Sequence, residues 1–445
     1  MIRDLWLSLK LGLPIMVAQT TQVILQITDA LMIGRLGAVD LAASAFASSL
    51  FALFMVFSMS FTASIATLVA QARGARRHYL IFENFKHGAI LSLIVGVLSF
   101  AILSAFVPAL DLFGQPAAVA EAATPYLFCL ALSCLPMALQ NAIRQFSEGL
   151  GNVKTPMLVA LFGVVLNVAL NFLLIYGLYG FPRLELLGAG VATLISRSTM
   201  AGMMLWILFR SPFFRVYLPK RWSRSWRRKL ALRNLQIGLP TASYSLFEIG
   251  AFSSVTIFVG WFGATALAAH QIVLNMATLT YVITLSLGYA ATIRVGFAFG
   301  QKDFEACRRI GVGVGCFAFC FMSLSALVLF LLREQLPSWY ISDSEVIALG
   351  AKLIVIAAVF QIFDGLQSVT TGVLRGYGDV QVPMLLCFVA YWVLGLPLGL
   401  FVGFSMGLEA VGLWIGLALG LGVMALVLSA RFLRLSSRWM KGKTS

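Results

Sequence analysis

The chain has 445 residues, of which 60% are hydrophobic and only 11% charged, with a mean hydropathy of +0.94. A soluble globular domain carries about 25% charged residues, so this composition excludes one and requires a helical membrane protein. The net charge of +15 comes with no basic, aromatic-interleaved face and no nucleic-acid motif, which leaves loop charge bias as its explanation.

The N-terminal stretch MIRDLWLSLKLGLPIMVAQTTQ lacks a small-residue cleavage site and reads as an uncleaved first span. Hydropathy predicts twelve spans, at 10–33, 44–71, 87–107, 121–143, 155–178, 187–209, 234–261, 267–293, 307–332, 345–372, 382–405 and 410–431. Short connections with turn signals such as Gly34-Arg35-Leu36-Gly37 and Gly376-Tyr377-Gly378-Asp379 join them. The exception is 210–233, with nine Lys or Arg and no acid, which reads as a basic cytoplasmic linker. The chain therefore divides into an N-lobe (1–209), this linker, a C-lobe (234–431) and a basic cytoplasmic tail (432–445). The N-terminus, the even-numbered loops and the tail hold 27 of the 32 Lys and Arg. Four fall to the odd-numbered loops (Arg35, Arg183, Arg333 and Lys352), and Arg197 lies within the sixth span. Positive charge marks the cytoplasmic side, so both termini are expected inside.

The sequence repeats. Lys10-Leu11-Gly12-Leu13-Pro14 returns as Gln236-Ile237-Gly238-Leu239-Pro240, and at the same offset of 226 Gly34, Gly37 and Gly74 match Gly260, Gly263 and Gly300. Gly149-Leu150-Gly151-Asn152 matches Gly376-Tyr377-Gly378-Asp379 at offset 227. Six spans per half is an even number, so both halves enter from the same side as a parallel repeat. The expected fold is all-α and polytopic: twelve transmembrane helices in two six-helix lobes around a central cleft, an alternating-access architecture.

Three acids fall inside spans: Asp29, Glu248 and Asp364. Glu248 sits fourteen residues after Asn234, where its apolar run begins, and is expected near the bilayer centre. A charge there costs about 2.5–3.5 kcal/mol, so such residues mark ion or substrate paths, or are acids hydrogen-bonded between helices. The repeat aligns Glu248 with Gln22 and Asp29 with Val255, so the lobes are chemically unequal. Glu248 and Asp364 share a lobe and could carry protons or form a Na⁺ site, since carboxylate oxygens suit both. Gln367, Thr370 and Thr371 continue a polar stripe after Asp364.

In the first lobe, Asn167 and Asn171 share one helix face, and with Gln19, Gln22, Gln26 and Asp29 they could form a second polar pocket. For the amides, helix–helix hydrogen bonding is the competing role. Gln22, Asn167, Asn171 and Gln367 are the candidate cavity-lining residues. Arg197 could pair with an acid or a backbone carbonyl, and His270 reads as structural. Cys129, Cys134, Cys307, Cys316, Cys320 and Cys387 form no CxxC or Cys/His ligand set and read as small buried hydrophobes. No GxxxxGK[ST] occurs, so an ion gradient would have to drive any transport, with no cofactor. An enzyme would need a nucleophile, a metal set or an acid–base constellation at a membrane face, and a channel a filter motif; the sequence offers neither.

The pattern resembles the multidrug and toxic compound extrusion (MATE) family, in its NorM-like branch. The matching stretches include Gly12-Leu13-Pro14, Thr28-Asp29-Ala30-Leu31-Met32-Ile33-Gly34, Glu148-Gly149-Leu150-Gly151-Asn152, Leu246-Phe247-Glu248, Ala268-Ala269-His270-Gln271 and Leu374-Arg375-Gly376, in order along the chain. The resemblance implies an antiporter that exports small organic cations in exchange for inward H⁺ or Na⁺; the two-fold repeat with unequal acids suits a monomer, and the compact 445 residues suggest a bacterial inner membrane. The resemblance also implies that Glu248 and Asp364 are C-lobe cation-site carboxylates and Asp29 the protonatable aspartate of the N-lobe. Asn171 stands where a DinF-like branch carries a second acid. Phe360 stands where some Na⁺-coupled relatives have a tyrosine oxygen, which favours H⁺. The alternative is an exporter or flippase of a lipid-linked or metabolite substrate on a related two-lobe frame.

Overall fold

Long helices dominate because almost every apolar stretch exceeds the length needed to satisfy its backbone internally, as a bilayer demands. The computed structural model describes residues 2–219 and 226–441, and no strand occurs among them. Residues 220–225 of the basic linker and 442–445 of the basic tail lie outside the described residues. Twelve helices among the described residues are long and apolar enough to cross a membrane. They are α1 (Arg3–Gly34), α2 (Ala38–Gly74), α3 (His78–Leu110), α4 (Ala117–Gly149), α5 (Lys154–Tyr176) and α6 (Glu185–Arg210). The second set is α7 (Arg228–Gly260), α8 (Ala264–Gly300), α9 (Phe304–Leu331), α10 (Ser344–Tyr377), α11 (Gln381–Ser405) and α12 (Glu409–Lys441).

Most helices run past the apolar cores that predict them. Arg144, expected in a loop, is helical because α4 continues to Gly149, and Lys352 lies two turns inside α10 with its side chain exposed. Long cationic side chains let a helix carry charge this far and still reach water.

The repeat shows in the backbone itself. Gly37 and Gly263, both at positive φ, precede α2 and α8. Arg76 and Lys302 share φ values of 55° and 62°, and Gly151 and Gly378 share 81° and 85°. Packing separates two units: Val17–Ala242, and Met1–Met16 with Ser243–Ser445. Hydropathy puts the division at the basic linker; packing puts it inside α1 and α7, at positions that the offset of 226 relates. Each crossing follows a helical proline, Pro14 or Pro240.

The exchanged helix ends are fastened by polar contacts and close backbone approach. In the C-terminal unit, Arg294 of α8 donates to the Asp4 carbonyl, to its carboxylate at 2.8 Å and to the Ser8 hydroxyl at 2.8 Å. Gly12 brings α1 against Leu287 and Ala290. In the N-terminal unit, Asn234 stands at the position equivalent to Ser8 and accepts from Ser64 at 3.3 Å. Arg233 donates to Gln71 at 3.1 Å, and Gly238 lies against Phe61. His87 accepts the Arg227 backbone N–H at 2.9 Å.

Two interruptions shape the bundles. α4 breaks at Ser133, three residues before Pro136, which has no N–H to continue the ladder. α11 is wound as π-helix at Val389–Gly395 and Phe401–Ser405, on either side of Pro397. In the C-terminal unit α10 packs on α8, α9 and α12. Glycines set the tightest contacts: Thr292 of α8 donates to the Gly372 carbonyl at 2.7 Å, and Gly395 and Gly399 of α11 face Gly416 of α12. Four cysteines are buried as expected, but Cys316 and Cys320 are exposed on α9, four residues apart on one outward face.

A Cβ at Gly416 would lie 2.4 Å from the Gly395 carbonyl oxygen and 2.5 Å from the Gly399 backbone. Gly416→Leu is therefore expected to lose about 1–3 kcal/mol or more through overpacking. Thermal unfolding of purified protein in detergent checks this, with Gly202→Ala, whose added methyl meets nothing within 4 Å, expected to match wild type.

Candidate functional site

Each unit carries one buried polar cluster around an intramembrane acid. In the C-terminal unit, Glu248 and Tyr244 project from one face of α7, one turn apart. Gln367 of α10 donates its amide N–H to the Glu248 carboxylate at 2.8 Å and also bonds the Tyr244 hydroxyl. Its carbonyl oxygen accepts from Tyr391 at 3.1 Å, and Tyr244 lies 3.4 Å from the same Glu248 oxygen. Asp364, one turn before Gln367 and only 7% exposed, is within electrostatic reach of Glu248. Tyr281 of α8 lies within reach of both acids. Glu248 and Gln367 are thus brought together with Tyr244 and Tyr391, while Asp364 and Tyr281 lie within electrostatic reach.

Tyr244 had a signal in the sequence, its spacing of four from Glu248. Tyr391 had none, because a π-wound segment places it. Phe360 is buried and packs edge-on against Phe252 and Trp414, so it offers the acids no oxygen. Among the described residues no group of three or more His, Cys, Asp or Glu could hold a metal ion.

In the N-terminal unit, Asn171 of α5 donates to Asp29 of α1 at 2.6 Å and to Asn167 at 3.0 Å. Both asparagines are fully buried. The Asn171 carbonyl oxygen and the Asn167 amide nitrogen have no protein partner. The expected pocket is divided. Gln26 is exposed, and Gln22 instead lines a separate cavity of about 40 Å³ with Gln140, Asn141, Arg144 and Arg197. Five methionines, with Leu25, Pro156 and Ala160, complete its wall. Among the described residues Arg197 makes no ion pair or hydrogen bond with an acid or a backbone carbonyl: it donates to the Ser133 hydroxyl at 2.8 Å, stacks 4.6 Å from the Phe51 ring centre, and feels Asp29 only as a longer-range electrostatic partner. The break in α4 exposes that hydroxyl to it. Arg144 was hidden from sequence reading because the predicted span stops at 143; Gln140 and Asn141 lie inside that span, and only their amide side chains could have marked them.

His270 is held at both ring nitrogens. Trp414 can only donate, so Nδ1 accepts at 3.1 Å and Nε2 carries the proton toward Thr256 at 2.9 Å. A ring fixed in this tautomer at 0% exposure packs the end of α8.

Solved structures share the fold along the full chain. A MATE protein in its bent conformation superposes with a TM-score of 0.89 at 20% identity, covering 99% of this chain and 97% of that one. A eukaryotic MATE transporter gives 0.86 at 20% identity and covers 99% of both chains. The fold is that of a twelve-helix membrane transporter. The MatE family model matches residues 14–173 and 240–401, one stretch in each half. The multidrug resistance protein NorM of Burkholderia vietnamiensis is 35% identical over 95% of this chain and 92% of its own length. NorM of Photobacterium profundum is 31% identical over 97% and 95%. The chain belongs to the MatE family, and it is a membrane transporter, not an enzyme.

Gln367→Leu would leave Glu248, Tyr244 and Tyr391 without their shared partner. A loss of about 1–3 kcal/mol is expected, the scale of an orphaned hydrogen-bonding group, read as a lower melting temperature in detergent. Gln367→Glu is expected to destabilise further by setting a second carboxyl against Glu248.

Proposed function

We propose that this chain is a secondary active multidrug antiporter, which exports organic cations in exchange for inward H⁺ or Na⁺ by alternating access. One observation carries the reading: the Glu248 carboxylate is held inside the membrane span by Gln367 and Tyr244, with Asp364 in electrostatic reach. The relatives named as multidrug resistance proteins support the same reading. Two acids in one unit and Asp29 in the other permit more than one coupled ion. Exporting a monovalent cation against 100 mV costs about 2.3 kcal/mol, which one entering H⁺ returns. A 1:1 exchange then leaves about 1.36 kcal/mol per pH unit to concentrate substrate, so a second coupled ion would raise the attainable gradient.

The ligand set favours H⁺. Gln367 turns its N–H toward Glu248 and spends its oxygen on Tyr391, so it offers a donor where Na⁺ would need an oxygen. The distribution of Lys and Arg supports cytoplasmic termini in a bacterial inner membrane. A lipid-linked or metabolite substrate is the second reading, favoured by Arg144 and Arg197 on the N-terminal unit's cavity.

Dye efflux from proteoliposomes under an imposed pH gradient, then under an imposed Na⁺ gradient, tests this. Efflux is expected with the pH gradient alone; efflux that requires Na⁺ would assign Glu248 and Asp364 to a Na⁺ site. Glu248→Gln and Asp364→Asn, at wild-type expression, are each expected to lower efflux about tenfold or more, the scale of losing a charged hydrogen-bonding group. Unchanged efflux in both variants would overturn the assignment, and no dye movement under either gradient would favour the second reading.

A further inference from the structure

The cavity in the N-terminal unit is built from donors. Its wall carries two guanidiniums, Arg144 and Arg197, which stay charged at any physiological pH. Arg144 has a distant partner, Glu148, at 3.6 Å from its Nε. Arg197 touches a hydroxyl and an aromatic face; Asp29 acts on it electrostatically, but no carboxylate makes an ion pair with it among the described residues. Asn141 is 6% exposed, and its amide nitrogen is buried with no hydrogen-bond partner. Gln140 spends an N–H on the Met200 sulfur at 3.5 Å, a weak acceptor. An orphaned buried donor costs about 1–3 kcal/mol, so a wall holding one beside two cations calls for an acceptor.

A cation would meet two like charges here. A carboxylate meets complementary groups: it offers about four lone-pair directions, and guanidinium binds it through paired N–H donors. The volume of about 40 Å³ is enough for such a group. The methionines around it are flexible and polarizable, which suits varied apolar groups attached to a common acid.

We propose that this cavity is an oxyanion subsite, in which Arg197, Arg144 and Asn141 hold the carboxylate of transported compounds that carry one. The proposal rests on the export reading above, which concerns the acids of the other cluster, and it gives the N-terminal unit a separate role in choosing substrates. Arg197 is the specificity-determining residue, since Asp29 reaches its charge only at long range and its one side-chain hydrogen bond goes to a neutral hydroxyl.

Two dyes with one skeleton test it: rhodamine 110, which has a free carboxylate, and its methyl ester rhodamine 123, a plain cation. Binding is read by fluorescence anisotropy with the full-length protein in detergent, and transport by efflux from proteoliposomes. Arg197→Gln is expected to weaken rhodamine 110 binding about tenfold, the scale of one charge-assisted pair, with rhodamine 123 within about twofold of wild type. Asn141→Asp, which puts an acceptor where the free donor stands, is expected to weaken rhodamine 110 in the same selective way, and Arg197→Lys to restore part of the loss. Equal losses for both dyes, or none for either, would overturn the subsite, as would a wild-type protein that binds only the ester. If wild type moves neither dye, the export reading fails, and the binding measurement still decides whether the cavity takes a carboxylate.

Discussion

A carboxylate inside the hydrocarbon layer survives only if neighbouring groups replace the water it has lost, and this requirement organises both halves of the molecule. At Glu248 the replacement is a shared amide: Gln367 bonds the acid with its N–H and ties its own oxygen to Tyr391. That arrangement recruits α7, α10 and α11 at once, so the acid's environment depends on the register of three helices. The π-wound turns of α11 and the glycine contacts that press α11 on α12 help to set that register. Gln367 supplies both functions, donating to the Glu248 carboxylate and the Tyr244 hydroxyl and accepting from Tyr391.

The internal repeat supplies two similar frames with different chemistry. Glu248 corresponds to Gln22, and Asp29 to Val255. The acid of the N-terminal unit is therefore held on α1 by Asn171 and Asn167 of α5, while the position equivalent to Glu248 lines a cavity with two arginines. One unit concentrates acids and phenols. The other holds Asp29 with two asparagines and, separately, a cavity lined by two arginines.

The same repeat divides α1 and α7 between the units at equivalent positions. Each helix begins in one unit, passes a proline and ends in the other. The glycines at 12 and 238 allow the first halves to lie close against their hosts, and Arg294 or Asn234 fastens them. The acids Asp29 and Glu248 lie on the second halves. Each of these acids therefore lies on a helix whose first half packs in the other unit.

Much of this was legible along the chain, because membrane burial imposes long apolar runs and the repeat preserves glycine and proline spacing. The twelve spans, the doubled frame and the three acids follow from local composition, and Gln367, Asn167 and Asn171 stand out as amides on helical faces. What the sequence by itself determined was which groups are costly in a bilayer. Tertiary structure alone decided which groups offset that cost, since partners such as Gln367 and Tyr391, or Arg197 and Ser133, are distant in sequence and meet only through helix breaks and π-turns. It also decided that Arg144 faces a cavity, because hydropathy marks where apolar residues stop, while a helix ends where its backbone hydrogen bonds do.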